Sequence, residues 1–295
     1  MQRKSRAAGR TRILQVPLLA QFPWLVHGFS TRRGGVSASP SSRRKTELNL
    51  GTVQWDCTEN VRENRRRLLD GLGAPEMELR VLRQIHSDLI RVMDGNSVPA
   101  GPPPAGDGLL TNRPGLLLAV LVADCLPILL ADARQRVVAA LHCGWRGTAR
   151  RLAQKGVGIL KQRFGSREQD LWAAIGPGIR ACCYQVGPDV VEEFESQFPY
   201  ASQLFHHRSH VLTPLEIKQS MLLGHIPKAF GPNLRQDVYL DLSAAIVCQL
   251  REAGVPAAQL DAEAPCTSCH PELFFSHRRD AGRTGRMMGM IGIRT

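Results

Sequence analysis

The stretch LLLAVLVADCLPILLADARQRVVAALHCGWRGT, Leu116–Thr148, decides the fold. Two apolar runs within it, Leu116–Val122 and Val137–Leu141, are short, rich in Val, Leu and Ala, and bounded by turn chemistry. Such runs read as buried strands. Soft metal ligands follow them closely: Cys125 in ADCLP, then His142 in HCGWRG. Buried strands hold side chains in place, and a reactive Cys–His pair needs that rigidity. A third donor, His86 in QIHSD, follows the apolar piece Val81–Ile85, also read as a strand. The expectation is that His86, Cys125 and His142 meet at one Zn²⁺.

Working outward, Thr58–Leu72 (TENVRENRRRLLDGL) reads as a helix, capped by Thr58 and stopped by Gly71 and Gly73. Arg65 to Arg67 are expected to face solvent for the most part. Asn96 to Gly108 is a Pro/Gly-rich loop before a strand at Leu109–Thr111. Ala149–Phe164 reads as one continuous helix, Leu171–Ile175 as a strand, and Val190–Phe198 and Leu240–Ala253 as helices. The HHRSH cluster, His206 to His210, reads as a surface loop, and the chain ends in an apolar strand. Residues 1–20 are expected to form a disordered basic tail, and residues 21–295 a single α/β domain with a mixed β-sheet core flanked by helices.

The 295 residues are 43% hydrophobic and 22% charged, ordinary for a water-soluble globular protein. The net charge of +12 favours anionic ligands, but the usual nucleic-acid-binding patterns are missing. No apolar run is long enough to span a bilayer. Eight cysteines in a chain this long suggest reduced thiols and a cytoplasmic location rather than a disulfide scaffold.

Two chemistries fit the central Cys and His residues. Zn²⁺ accepts thiolate and imidazole, and a catalytic site leaves one position open. Alternatively Cys125 is a nucleophile activated by His142, with Asp124 or Asp107 orienting the imidazole, as in a Cys–His amidase. Copper is the weaker choice, because repeated His-x-His pairs are absent from the chain. Arg146 in GWRGT is the first candidate to hold a phosphate or carboxylate. A salt bridge is its bland alternative, and the favoured one for Arg278 and Arg279. In the tail, Cys266-Thr-Ser-Cys269-His270 matches a c-type haem pattern and half of a zinc-deaminase signature. Both matches lack their context, an export signal in one case and a preceding HxE in the other. A second, structural zinc there stays open as a reading but lacks its other ligands in sequence.

Taken in order, HGFSTRRGGVS, NLG, QIHS, GDGLLTN, ADCLPILLAD, HCGWRGT, IGPGIRACCYQVG and CTSCHPELFFSHRRDAGRTGRMMGMI resemble the laccase-domain, YfiH-type family over about residues 25–292. Its members are variously labelled polyphenol oxidase, purine nucleoside phosphorylase and peptidoglycan editing factor. The resemblance implies one α/β domain of the YfiH-type fold and zinc bound by His86, Cys125 and His142. The implied activity is phosphorolysis of adenosine, inosine and 5′-methylthioadenosine, with deamination of adenosine. The alternative is editing of a mis-built UDP-MurNAc–amino acid. The expected partners are small molecules, a nucleoside and phosphate, in a monomer or weak homodimer. The tail departs from the family pattern by carrying His270 and His277 where many members have Asn and Tyr. Within this reading Asp124 or Asp107 shuttles a proton, Arg146 holds phosphate, and Asn49, Arg65 and Gln84 contact substrate.

Overall fold

The computed structural model describes residues 11–40, 46–94, 101–211 and 234–295. Its centre is a pair of stacked sheets. The first orders its strands Ile13–Leu14, Leu25–Ser30, Met287–Ile293, Leu116–Val122 and Glu78–Arg80, antiparallel except for the last pair. The second runs Leu260–Asp261, Leu171–Ile175, Leu126–Asp132, Val137–Cys143, Gly108–Thr111 and Ile90–Val92, with parallel pairs only at its edges. A third sheet of Gln185–Val186, Leu234–Leu240 and Phe205–Val211 is antiparallel throughout.

Strand periodicity explains the layering. Successive side chains point to opposite faces. In Leu116–Val122, residues 118, 120 and 122 pack between the two sheets, while Leu117 and Ala119 face the helix Thr58–Leu72. In Val137–Cys143, Val138 and Ala140 face the inter-sheet core, whereas Val137, Ala139, Leu141 and Cys143 face the helices Leu152–Phe164 and Leu242–Glu252. The result is helix, sheet, sheet, helix. Both faces of each central sheet are covered, so these strands read as unbroken apolar runs rather than as alternating ones.

Several expectations need correction. Only residues 1–10 of the expected tail lie outside the described residues. Ile13–Leu14 pairs with Leu25–Ser30, and Val16 and Leu19 are fully buried, so apolar burial pins residues that basic composition marked as disordered. The strand Leu126–Asp132 lies between the two expected ones and was not anticipated, because Pro127 interrupts the apolar pattern at its start. Residues 81–85 form no strand, and beyond Arg80 only an isolated bridge from Arg83 to Ala105 remains. The helix Thr58–Leu72 has Cys57 at its N-cap and no side-chain cap, and Gly73, at φ 64°, ends it. The helix expected from Ala149 breaks at Arg151, whose φ is 62°, into Trp145–Ala149 and Leu152–Phe164. The HHRSH cluster is a strand, not a loop. Asp241 caps the helix Leu242–Glu252 by accepting from Ala244 N at 2.9 Å. No helix among the described residues is long and apolar enough to cross a membrane.

His27 is a polar residue inside this frame, 2% exposed. Its Nε2 lies 3.1 Å from Val16 N and 3.2 Å from Val16 O, and accepts from the one or donates to the other according to its tautomer. Burial lowers its pKa to about 4, against a small opposing pull from the Val16 backbone. The unfolded chain therefore binds a proton here that the folded chain refuses, and the stability present above the unfolded pKa is lost as pH falls. Between about pH 7 and about pH 4 this group is expected to remove about 3 kcal/mol of unfolding free energy. Denaturant titrations of the wild type and His27→Gln at both pH values check this, the variant losing the His27 component of the slope.

Candidate metal centre

One carboxylate assembles much of the site. Asp107 is fully buried. Its oxygens accept from Ile85 N at 3.3 Å, His86 N at 3.1 Å, Ser87 N at 2.6 Å and Ser87 Oγ at 2.7 Å, which folds the QIHSD segment into a tight turn. Asp107 Oδ1 also sits 2.9 Å from His142 Nδ1. Fixing Nδ1 in this way leaves the other ring nitrogen of His142 for a ligand, the usual arrangement of a metal-binding histidine.

Cys125 is set by the preceding residue. Asp124 has φ 90°, and its Oδ1 accepts from Thr267 Oγ1 at 2.6 Å while its Oδ2 accepts from Arg278 N at 2.7 Å. Five non-glycine residues have positive φ among the described residues, and His86 (55°) and Asp124 are two of them. Backbone of this kind costs about 1–3 kcal/mol per residue and persists where surrounding contacts over-determine it. Both turns at the site are of that sort. Gly144 completes the approach, since a Cβ there would lie 3.0 Å from Cys125 Sγ and 3.4 Å from His86 Cδ2.

The ligand atoms of His86, Cys125 and His142 all lie within 4.8 Å of one another, and the two imidazole centroids are 5.0 Å apart. Two nitrogens and a sulfur at this separation suit zinc chemically. Burial alone would push the Cys125 thiol up. The facing His142 and the hydrogen bonds from His142 and His86 overcome burial and hold the thiol below its ordinary range. Burial likewise opposes charge on His142, and Cys125 and Asp107 reverse that and favour the imidazolium. Cys143, one residue on, faces the apolar core instead, and burial pushes its thiol far up.

The three residues line a cavity of about 780 Å³. Arg65, Gln84, Asp124, Tyr184, His277, Arg278 and Arg286 contribute to its walls. The expected site residues divide accordingly. Arg65 lines the cavity rather than facing solvent, with Nε and Nη2 both donating to Leu50 O. Asn49 does not reach it: the side chain is fully buried and bonds Gly51, Asp56 and Arg286 N, so it acts by fixing the Arg286 backbone. Gln84 lines the cavity, but its amide donates to Leu121 O at 2.8 Å and accepts from Leu121 N at 2.7 Å, tying the His86 turn to a central strand. Asp107 has no exposed surface from which to shuttle a proton, and both oxygens of Asp124 are engaged. Arg146 is exposed and stacks on Trp145 at 4.3 Å, outside the cavity lining. Arg279 bonds Asp280 and three backbone carbonyls. Of the two unusual tail histidines, His277 lines the cavity, and His270 instead lies 3.5 Å from Glu272.

Tyr184 and Arg286 escaped the sequence reading. Burial, together with the nearby charges of Cys125 and Asp124, drives the Tyr184 phenol up, so it keeps its proton. Arg286 follows GRTG, a segment whose only local signal is a turn.

Residues 26–294 match the family described as multi-copper polyphenol oxidoreductase laccase. The chain is 36% identical to purine nucleoside phosphorylase YlmD of Geobacillus stearothermophilus, over 92% of each protein. It is 34% identical to a purine nucleoside phosphorylase of Deinococcus radiodurans, over 95% of this chain and 92% of that protein. Among solved structures, YfiH of Bacillus licheniformis superposes with a TM-score of 0.77 at 30% identity, covering 97% of each chain. The chain belongs to the multi-copper polyphenol oxidoreductase laccase family, the YfiH-type laccase-domain family that its motifs resemble.

Proposed function

We propose that the protein is a zinc-dependent purine nucleoside phosphorylase acting on adenosine, inosine and 5′-methylthioadenosine. The observation that carries this reading is the convergence of His86, Cys125 and His142 at a cavity whose wall holds Arg65, Arg278 and Arg286. The names of the relatives support it. Phosphorolysis breaks the C1′–N9 bond and forms C1′–O to phosphate, and the base leaves with the electron pair and gains a proton. Guanidinium groups suit the phosphate, because they offer paired donors at fixed charge. The protonated Tyr184 phenol can donate a hydrogen bond to the departing base. Zinc, when bound, supplies Lewis acidity at the open corner of its ligand set. Adenosine deamination is the weaker part of the proposal, because Asp107 is fully buried and each Asp124 oxygen already accepts a hydrogen bond.

The Cys–His amidase reading keeps one specific support. Cys125 faces His142, whose Nδ1 lies 2.9 Å from Asp107 Oδ1, and this pairing favours the thiolate form of Cys125. Mass-spectrometric product analysis with inosine, adenosine, 5′-methylthioadenosine and UDP-MurNAc-L-Ser, offered in phosphate buffer, separates the two. The expected products are hypoxanthine or adenine with a pentose 1-phosphate. Turnover of the cell-wall precursor alone overturns the proposal. Within it, Arg286→Gln is expected to raise the KM for phosphate about 10- to 100-fold, the equivalent of one lost hydrogen bond to a charged group.

A further inference from the structure

A second cluster lies outside the residues of the first. Cys182 and Cys183 follow the strand Leu171–Ile175 on the turn in GIRACCY, and Cys266 and Cys269 occupy the turn in PCTSCH. The two turns are joined where Cys266 bridges Gly178 and Thr267 N donates to Gly178 O at 3.0 Å. All four Sγ atoms lie within 4.8 Å of one another. Cys269 Sγ is 3.5 Å from Cys182 Sγ and 3.4 Å from Cys183 Sγ. All four cysteines are free thiols.

These separations match a known polyhedron. Zinc–thiolate bonds of about 2.3 Å in tetrahedral geometry put neighbouring sulfurs about 3.8 Å apart. Four converging sulfurs with no histidine or carboxylate among them select zinc or iron, and a site with no open position is structural. The surroundings also suit an anionic centre. A tetrathiolate around a divalent ion carries a net charge of −2, and one guanidinium attends each turn. Arg208 donates to the carbonyls of Ala181 and Cys182, and Arg279 to those of Thr267 and Ser268. We propose that Cys182, Cys183, Cys266 and Cys269 bind one zinc ion, a structural site distinct from His86, Cys125 and His142.

The ion would clamp two turns that shape the cavity. Thr267, between the two tail ligands, donates to Asp124. Tyr184, next to Cys183, lines the cavity wall. The proposal stands independently of the nucleoside chemistry.

The test is metal content of the full chain, purified with reductant and loaded with zinc, for wild type, Cys269→Ser and Cys125→Ser. Cys269 is exposed, so its serine variant disturbs no core packing. Cys269→Ser is expected to hold one zinc equivalent fewer than wild type. Cys125→Ser is expected to retain the equivalent that Cys269→Ser loses. Replacing zinc with cobalt should give strong thiolate-to-cobalt absorption that survives in Cys125→Ser and falls in Cys269→Ser. As a check that needs no variant, alkylation of wild type mapped by peptide mass spectrometry should find the four thiols protected until a chelator is added. Free alkylation of all four in zinc-loaded wild type overturns the proposal. So does iron in place of zinc, or a disulfide between the two turns in reduced protein.

Discussion

A Cys125→Ala variant is expected to lose zinc from the His86–Cys125–His142 site and to reduce nucleoside turnover to background. Loss of an outer partner of a metal ligand costs about 10- to 100-fold in affinity or activity, and removal of the sole sulfur ligand should exceed that. The arrangement explains the size of the effect. Cys125 is the only thiol of the three donors, and its thiolate is one of the two groups that favour charge on the buried His142. Alanine leaves two imidazoles facing an apolar gap beside Gly144. Because a cysteine nucleophile would also fail in this variant, the measurement is paired with chelation. Exhaustive chelation of wild type should abolish turnover and added zinc should restore it. Full activity in chelated protein, abolished by iodoacetamide, counts for the amidase instead.

Asp107→Asn is the second large effect, expected to act on stability and metal affinity together. The substitution preserves shape but changes one acceptor into a donor. Three backbone N–H groups, the Ser87 hydroxyl and His142 Nδ1 converge on the native carboxylate. An amide cannot accept from all of them, and each buried donor left unpaired costs about 1–3 kcal/mol. The loss should therefore be about 3 kcal/mol or more in denaturant unfolding. Burial opposes the charge on Asp107, but these same hydrogen bonds and the facing His142 hold its carboxyl well below the usual range. With the charge removed, His142 loses the partner that fixes its ring, and zinc affinity should fall about 10- to 100-fold in a competition titration. Unchanged affinity and unchanged stability would show that Asp107 is only a turn former.

These residues also show what a sequence discloses. The strands Leu116–Val122 and Leu171–Ile175 were legible to the residue, because short apolar runs between turn signals have few other uses. The strand Leu126–Asp132 was hidden by Pro127 at its start, and the break at Arg151 by a left-handed backbone that no glycine announces. At the site, the three metal candidates were nameable from motif and resemblance. Of the substrate-contact candidates, Arg65 and Gln84 line the cavity, whereas Asn49 and Arg146 do not. Asn49 and Gln84 look like ligand contacts until the backbone groups they satisfy are known, and Arg146, four residues after His142, stacks on Trp145 outside the cavity lining. Cys182 and Cys183 precede Cys266 and Cys269 by more than eighty positions, a separation at which no local spacing rule operates.

The division of labour around the cavity has a consequence for divergence. Cys125 and His142 sit at the ends of strands packed on both faces, where few substitutions are tolerated, whereas Tyr184, His277 and Arg278 come from peripheral turns. Peripheral segments accept change at little cost to the frame. Selection can therefore retune what enters the cavity while the strand-borne donors stay fixed.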